Sequence, residues 1–521
     1  MRKIILLTVF LFLTVITVTG FYFSKIKLPG ENKANLIDQI PADAALVFEF
    51  TNDQEFSDLF KRNLLLTSFI GQKKVSQLQY LHEHFFKGTT FDNRDIFVSV
   101  QPNTSSQNLD MLLTVNIDGL DNVQKHFKDN FTQENGKWHT ENIDNQIIYV
   151  VNFTALKEAF YLCSKADVLA GSFSKNLLIS FLQENKEHQK AVFQQLSDQQ
   201  NKNSIANLYV NYAQFPVLSK QLFQNQNNNF FKILNDFEAQ AVLSLNYKSD
   251  ALLFNGYTQT DSNANNYLQV FLKQQPKINT LKAVYPLNTA SAMSFAFENQ
   301  LFFKTLDRWQ NADFKQGKTL FGQIKNETGI SIQNEFRKQM NNEFAVITTA
   351  ENEQLAVIKL KNGSELEPFL QNISLDPDAN QKRIKYQNLF FYLLGEPFID
   401  FKQPYFMITD NYLLLSDTKT GLNNYLKHYH QQEFLNKDKQ YFKFDELLAA
   451  QSNVSFFIHF PNANQLFKNT LRTDYAKVFQ KKNPGWGNYF AMALQFTGSS
   501  NSFYTNLYLQ QKQTERDTTA L

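Results

Sequence analysis

Two motifs in this 521-residue chain have the spacing of a nucleophile and its base. Ser172-Phe-Ser-Lys175 and Ser416-Asp-Thr-Lys419 both spell Ser-x-x-Lys, in which an amine one helical turn away could take the proton of a serine hydroxyl. Lys419-Thr-Gly421 adds a third chemical word that overlaps the second motif. The same spacing also fits a bland arrangement. A strand ends, a hydroxyl residue caps the next helix, and lysine opens its exposed face.

The arrangement decides between these readings. Penicillin-recognising enzymes use Ser-x-x-Lys together with Lys-Thr-Gly on a separate strand facing the serine, and with Ser-Asp-Asn. Here Lys-Thr-Gly overlaps Ser416-Asp-Thr-Lys419 and no Ser-Asp-Asn occurs. Strand end, cap and helix start is the better reading of both motifs.

The other reactive residues are few. His82-Glu-His84 and His428-Tyr-His430 suggest metal ligation, but both fall in expected helices, where residues two apart diverge. His126, His139, His188 and His459 stand alone, and there is no His-Glu-x-x-His. The single Cys163 excludes an internal disulfide and a thiolate zinc cluster within one chain, and it reads as a packed core position. Asp376 and Asp378 flank Pro377, which is turn chemistry. With 17 glycines in the chain, no phosphate-binding loop is visible. No catalytic, cofactor or metal residue is assigned, and no cofactor is expected. The 52 phenylalanines admit an apolar ligand or plain core filling. A formal net charge of +2 gives no footprint for nucleic acid.

The elements that hold these motifs occur twice. Pro41–Asn52 recurs as Pro286–Asn299 if two residues are inserted, and Phe97–Val100 falls on Phe344–Ile347. Leu112–Ile117 falls on Leu355–Leu360, and Tyr161–Leu182 on Tyr405–Leu426. Leu208–Tyr212 meets Phe456–Phe460, and Asn255–Tyr257 meets Asn506–Tyr508. Ser172 and Lys175 thereby match Ser416 and Lys419, Cys163 matches Met407, and no histidine matches a histidine. Six matches in order, with spacings between 243 and 251, describe two homologous tandem domains, 36–282 and 283–510. Each is large enough to bury its own core.

Each half reads as α+β, with a mostly antiparallel sheet and packed helices. Leu46, Phe48 and Phe50 alternate with Val47 and Glu49, the period of a strand with one buried face. Asn52 then precedes a helical pattern, as Asn299 does in the second half. Strands are expected at Ile96–Val100, Met111–Ile117, Ile147–Phe153, Phe160–Ala170, Ala241–Tyr247 and Ala251–Gln259, with helices near Asp121–Phe131 and Lys175–Asn185.

Arg2 and Lys3 precede an uncharged apolar run, Ile4–Phe23. As a helix it would reach roughly 30 Å, the thickness of a bilayer core. Residues 1–24 are read as a signal anchor, N-terminus in the cytoplasm and bulk in the periplasm. A cleaved signal peptide ending near Val18-Thr19-Gly20 is the rival, and would give an exported soluble protein. Residues 25–35 form a tether and 511–521 a polar tail. The Pro41-Ala-Asp-Ala turn running into an apolar strand resembles a broad family of exported bacterial proteins of unknown function. That resemblance implies an envelope protein and carries no catalytic residues. The expected role is a non-catalytic, membrane-anchored binding or scaffolding protein with an envelope protein partner. The alternatives are a carrier or sensor of lipid or another apolar ligand, and a serine hydrolase built on Ser172 or Ser416.

Overall fold

The computed structural model describes residues 36–53, 72–83, 91–103, 108–117, 136–143, 145–165, 167–183, 193, 196, 204–224, 229–248, 250–261, 264–311, 315–375, 381–473 and 486–513. The expected helices after Asn52 and at Asp121–Phe131 lie outside them, as does the apolar run Ile4–Phe23.

Apolar side chains build most strands of the first half. Its strands are β1 (Leu46–Thr51), β2 (Asp95–Asn103), β3 (Asn108–Asn116), β4 (Gly136–Ile143) and β5 (Gln146–Phe153). There follow β6 (Glu158–Lys165), β7 (Val168–Ser172), β8 (Ala206–Asn211), β9 (Ala239–Lys248) and β10 (Ala251–Thr260). β11 (Lys277–Ile278) lies in the connection, and the second half opens with β12 (Thr289–Ala296), β13 (Met340–Thr349), β14 (Gln354–Leu360), β15 (Ser374–Leu375) and β16 (Lys382–Ile384). It closes with β17 (Tyr405–Thr409), β18 (Tyr412–Ser416), β19 (Gln451–Ser452), β20 (Val454–His459), β21 (Tyr489–Gly498) and β22 (Ser502–Gln511). Apart from the small β11–β19 pair, all join one antiparallel sheet of twenty strands, with helices packed on it. The fold class is α+β.

From its outer edge inward, the first half runs β4-β5-β6-β7-β3-β2-β1-β8-β9-β10. The second runs β15-β16-β17-β18-β14-β13-β12-β20-β21-β22. The two inner strands then pair with each other along nine positions, from Ala251↔Gln510 through Asn255↔Asn506 to Gln259↔Ser502. A second contact bridges Phe223 and Leu471. Around it the Gln224 amide donates to the Thr470 carbonyl and the Arg472 amide to the Leu222 carbonyl, both at 2.9 Å.

Both faces of β1 are covered, which corrects its expected one-sided burial. Val47 and Glu49 are the buried pair, while Leu46, Phe48 and Phe50 are half-buried. Glu49 accepts hydrogen bonds from Asn207 Nδ2 at 3.1 Å and the Tyr209 hydroxyl at 2.8 Å, so a carboxylate occupies an inner position beside Val47. On that face Phe97, Val150, Cys163 and Ala170 pack with Leu177, Leu178 and Phe181 of the helix Lys175–Gln183. In the second half Ala345, Val357 and Leu414 pack with Leu422 and Tyr425 of the helix Lys419–Gln431. On the opposite face one core runs through both halves. Phe237 meets Phe496 and Phe503, with ring centroids 5.9 and 6.2 Å apart. The halves therefore share a core as well as a sheet.

The expected strand Phe160–Ala170 is two strands. The chain folds back between Lys165 and Val168, which face each other across the β6–β7 turn. An apolar run on both sides of a two-residue turn looks continuous in sequence.

The connection between the halves is fastened to the second sheet by one carboxylate. Glu343, 2% exposed, accepts from the Thr280 amide at 2.7 Å, the Leu281 amide at 3.2 Å, the Thr280 hydroxyl and Lys359 Nζ at 2.8 Å. Backbone and cation donors together offset the cost of burying this charge.

Close approach of β9 and β10 depends on Gly256, where an added Cβ would lie 2.0 Å from the Val242 carbonyl oxygen. Gly256→Ala is expected to cost about 1–3 kcal/mol by urea unfolding. Gly322→Ala, in the helix Lys315–Thr328 with nothing within 4 Å, is expected to gain about 0.5–1 kcal/mol in the same measurement.

Candidate functional site

Ser172 and Ser416 are the last residues of β7 and β18. Each is inside the sheet, 0% and 1% exposed. The Ser172 hydroxyl donates to the Met111 carbonyl at 2.7 Å and accepts from the Ser174 amide at 3.0 Å. The Ser416 hydroxyl donates to the Gln354 carbonyl at 2.9 Å and accepts from the Thr418 amide at 3.4 Å. Each hydroxyl thus ties its strand end to the backbone of the neighbouring strand. A proton held by a backbone carbonyl is not offered to a base.

The lysines go elsewhere. Lys175 Nζ makes a 2.6 Å ion pair with Glu141 and sits 5.9 Å from the centre of the Tyr161 ring. Its hydrogen bond to Glu141 raises the lysine above its ordinary range and lowers the glutamate. Lys419 Nζ sits 5.5 Å from the centre of the Tyr405 ring. Tyr161 and Tyr405 pair across the sheet with Ser172 and Ser416. Both motifs therefore arrange serine, tyrosine and lysine in the same way.

The capping role expected of Ser172 and Ser416 falls two residues later. Ser174 Oγ accepts from the Leu177 amide at 3.4 Å, and Thr418 Oγ1 accepts from the Gly421 amide at 3.0 Å. The strand keeps the first hydroxyl inside the sheet, and the chain turns before the helix begins.

Beside Ser416 lies an open depression of about 460 Å³, lined by Asn352, Glu353, Gln354, Ser416, Asp417, Thr418 and Thr420. It sits where the β13–β14 turn, with Asn352 at φ 65°, meets the start of the helix Lys419–Gln431. Asn424 Nδ2 donates to Glu353 at 3.1 Å. Partial burial, followed by repulsion from Asp400, pushes Asp417 up to about 6. This polar surface can hydrogen-bond a ligand. The sequence reading missed it because Glu353 and Asp417 are separate turn residues until the strands pair.

The remaining candidates do not converge. Cys163 is buried in the core, and burial pushes its thiol up to about 12. His139 Nε2 is 3.6 Å from Glu141, and His428 Nδ1 is 2.9 Å from Glu433. His430 meets the Tyr429 ring edge-on. His82 lies at the end of a helix, while His84, His126, His188, Asp376 and Asp378 lie outside the described residues. Among the described residues no three His, Cys, Asp or Glu side chains are grouped to hold a metal. The phenylalanines named in the cores pack ring on ring, as Phe297 does with Phe302 at 3.9 Å and Phe295 with Phe344 at 4.8 Å.

His459 is buried at 7% exposure between Phe457 and Phe490, and neither ring nitrogen has a hydrogen-bond partner among the described residues. Burial pushes it down from 6.5 to about 4.

No family model matches the sequence, and no curated protein is similar to it. A solved structure titled "Structure of crystal form III of TP0453" aligns with 47% of this chain and 89% of its own, at 11% identity and a TM-score of 0.24. A score that low carries no argument about fold or function.

Ser172→Ala and Ser416→Ala are each expected to cost about 1–2 kcal/mol in urea unfolding, as a backbone carbonyl loses its donor. The wild-type chain should take no label from an activated phosphonate, and labelling of either serine would overturn this geometry. His459 gives a second expectation. The unfolded chain binds its proton below about 6.5 and the folded chain only below about 4. His459 therefore removes about 3 kcal/mol of stability as pH drops through that window, against an opposite gain from Asp417, whose raised carboxyl takes up its proton earlier in the folded chain. The histidine's share is the stability of the wild type relative to His459→Phe, which should fall between pH 7 and pH 4 in urea midpoints.

Proposed function

We propose that this chain is a non-catalytic cell-envelope protein, anchored in a membrane by residues 4–23. Its bulk lies outside the cytoplasm, where it binds or scaffolds another envelope component. The observation that carries this reading is the uncharged stretch Ile4–Phe23 behind Arg2 and Lys3. Among the described residues no helix is long and apolar enough to cross a membrane, so this stretch has no rival there. The role as a binder is supported by what becomes of the reactive groups. Both motif serines hold strands together, one motif lysine is paired with a carboxylate, and both lie over tyrosine rings.

We also propose that one α+β unit, 36–282, was duplicated to give 283–510. The strand order of the two halves supports it, since each pairing in the first has a counterpart in the second. Leu112 pairs with Ser172 as Leu355 pairs with Ser416. Phe48 pairs with Val98 and Leu208, as Met293 pairs with Val346 and Phe456. These registers amend the sequence alignment at two points. Phe48 answers to Met293, so the first strand needs no two-residue insertion. Val98 answers to Val346 rather than to Ala345. A one-residue slip would turn every side chain of that strand to the other face of the sheet.

Alkaline carbonate extraction of cell membranes tests the anchor. The full chain should stay in the pellet, and protease added to spheroplasts should digest it. A soluble chain lacking its first 20 residues would replace the anchor with a cleaved signal.

A further inference from the structure

The sheet face at the seam is floored by uncharged side chains that stay open to solvent. Tyr257 of β10 and Tyr504 of β22 form a cross-strand pair next to Asn255↔Asn506. They are 42% and 37% exposed, although their strands lie at the centre of the sheet. Their rings meet edge to face, with centroids 5.6 Å apart. Asn246 Nδ2 donates to Asn255 Oδ1 at 2.5 Å, and Asn255 Nδ2 donates to the Tyr504 hydroxyl at 3.0 Å. This amide relay fixes the phenol and leaves its own proton free to donate.

The matching flank of the seam is roofed. Gln495 accepts from the Ala449 amide at 3.0 Å and donates to its carbonyl at 3.2 Å, and Tyr508 beneath that segment is 9% exposed. The open floor is thus a shelf beside a wall. Its side chains, Asn246, Leu253, Asn255, Tyr257 and Tyr504, carry no charge. The charges of this edge, Lys248 and Asp250, stand at the β9–β10 turn, where Asp250 accepts from Gln510.

A ligand complementary to this floor is neutral. It has apolar C–H surface to lay against the negative face of a tyrosine ring, and hydroxyls to pair with phenol and amide. Among the described residues an ionic headgroup finds no counter-charge on this floor, and a lipid chain would strand the amides. We propose that this shelf binds an extended, uncharged polysaccharide, such as a β-linked polymer of glucose or N-acetylglucosamine. The inference names a ligand class for the binding role given above. It does not rest on the membrane anchor, because it is tested on purified protein.

The test uses the full chain in a polyoxyethylene detergent, mixed with chitin beads or microcrystalline cellulose and then sedimented. The wild-type chain should be retained on at least one of them. Tyr257→Ala and Tyr504→Ala should each weaken retention at least fivefold, and the double variant should abolish it. Tyr504→Phe keeps the ring and loses the hydroxyl, and should fall between. Matching thermal melts establish that the variants are folded. No retention on either polymer overturns the proposal, as does retention that the folded double variant leaves unchanged. A dimer of the wild-type chain that the double variant dissociates also overturns it, because the shelf would then be an interface for a second copy.

Discussion

Everything in this molecule hangs on the nine antiparallel pairs between β10 and β22. Without them, each half would end in a ten-residue strand showing a row of unpaired amides and carbonyls. The same strands carry Leu252 and Phe254, and Phe503 and Leu509, into the common core. Opening the seam would therefore expose both backbone and apolar surface. The reciprocal bonds around Phe223 and Leu471 fasten the halves a second time. The two contacts together fix how one half lies against the other.

Where the sheet is covered on both faces, polar groups have little freedom. Glu49 and Glu343 sit inside because hydrogen-bond donors were built around them. His459 is one exception, held between two rings with no hydrogen bond to either nitrogen among the described residues and neutral at ordinary pH. The serines of the repeated motifs follow the rule, since their hydroxyls close strand ends. The chemistry suggested by their spacing is thus spent on architecture in both places.

Much of the strand pattern was legible. β2, β3, β5, β9 and β10 announce themselves by apolar alternation and lie within a few residues of their expected places. β4 does not, because Lys137, Trp138, His139, Thr140 and Glu141 alternate without an apolar face, as an outermost strand can. The burial of Val47 rather than Phe48 was illegible for another reason. Periodicity tells which residues share a face, and only the covering layers decide which face is driest. Of the candidate site, sequence located the serine, lysine and helix start in each half. It could not say that Ser174 and Thr418 would take the cap, nor that Tyr257 and Tyr504 would meet across strands about 250 residues apart.

The place of the seam in the chain sets a timetable for folding. β10 is complete at residue 260, but its partner is not finished until residue 511. At about 5–20 residues per second, a ribosome needs on the order of 12–50 s to make the intervening stretch. Throughout that interval the newborn first half carries a finished, unoccupied edge next to apolar rings such as Phe237. Identical nascent chains on one messenger would present the same edge to one another, in the register that the finished protein reserves for itself. Quality control of this chain is therefore a matter of keeping neighbours apart until its own last strand arrives.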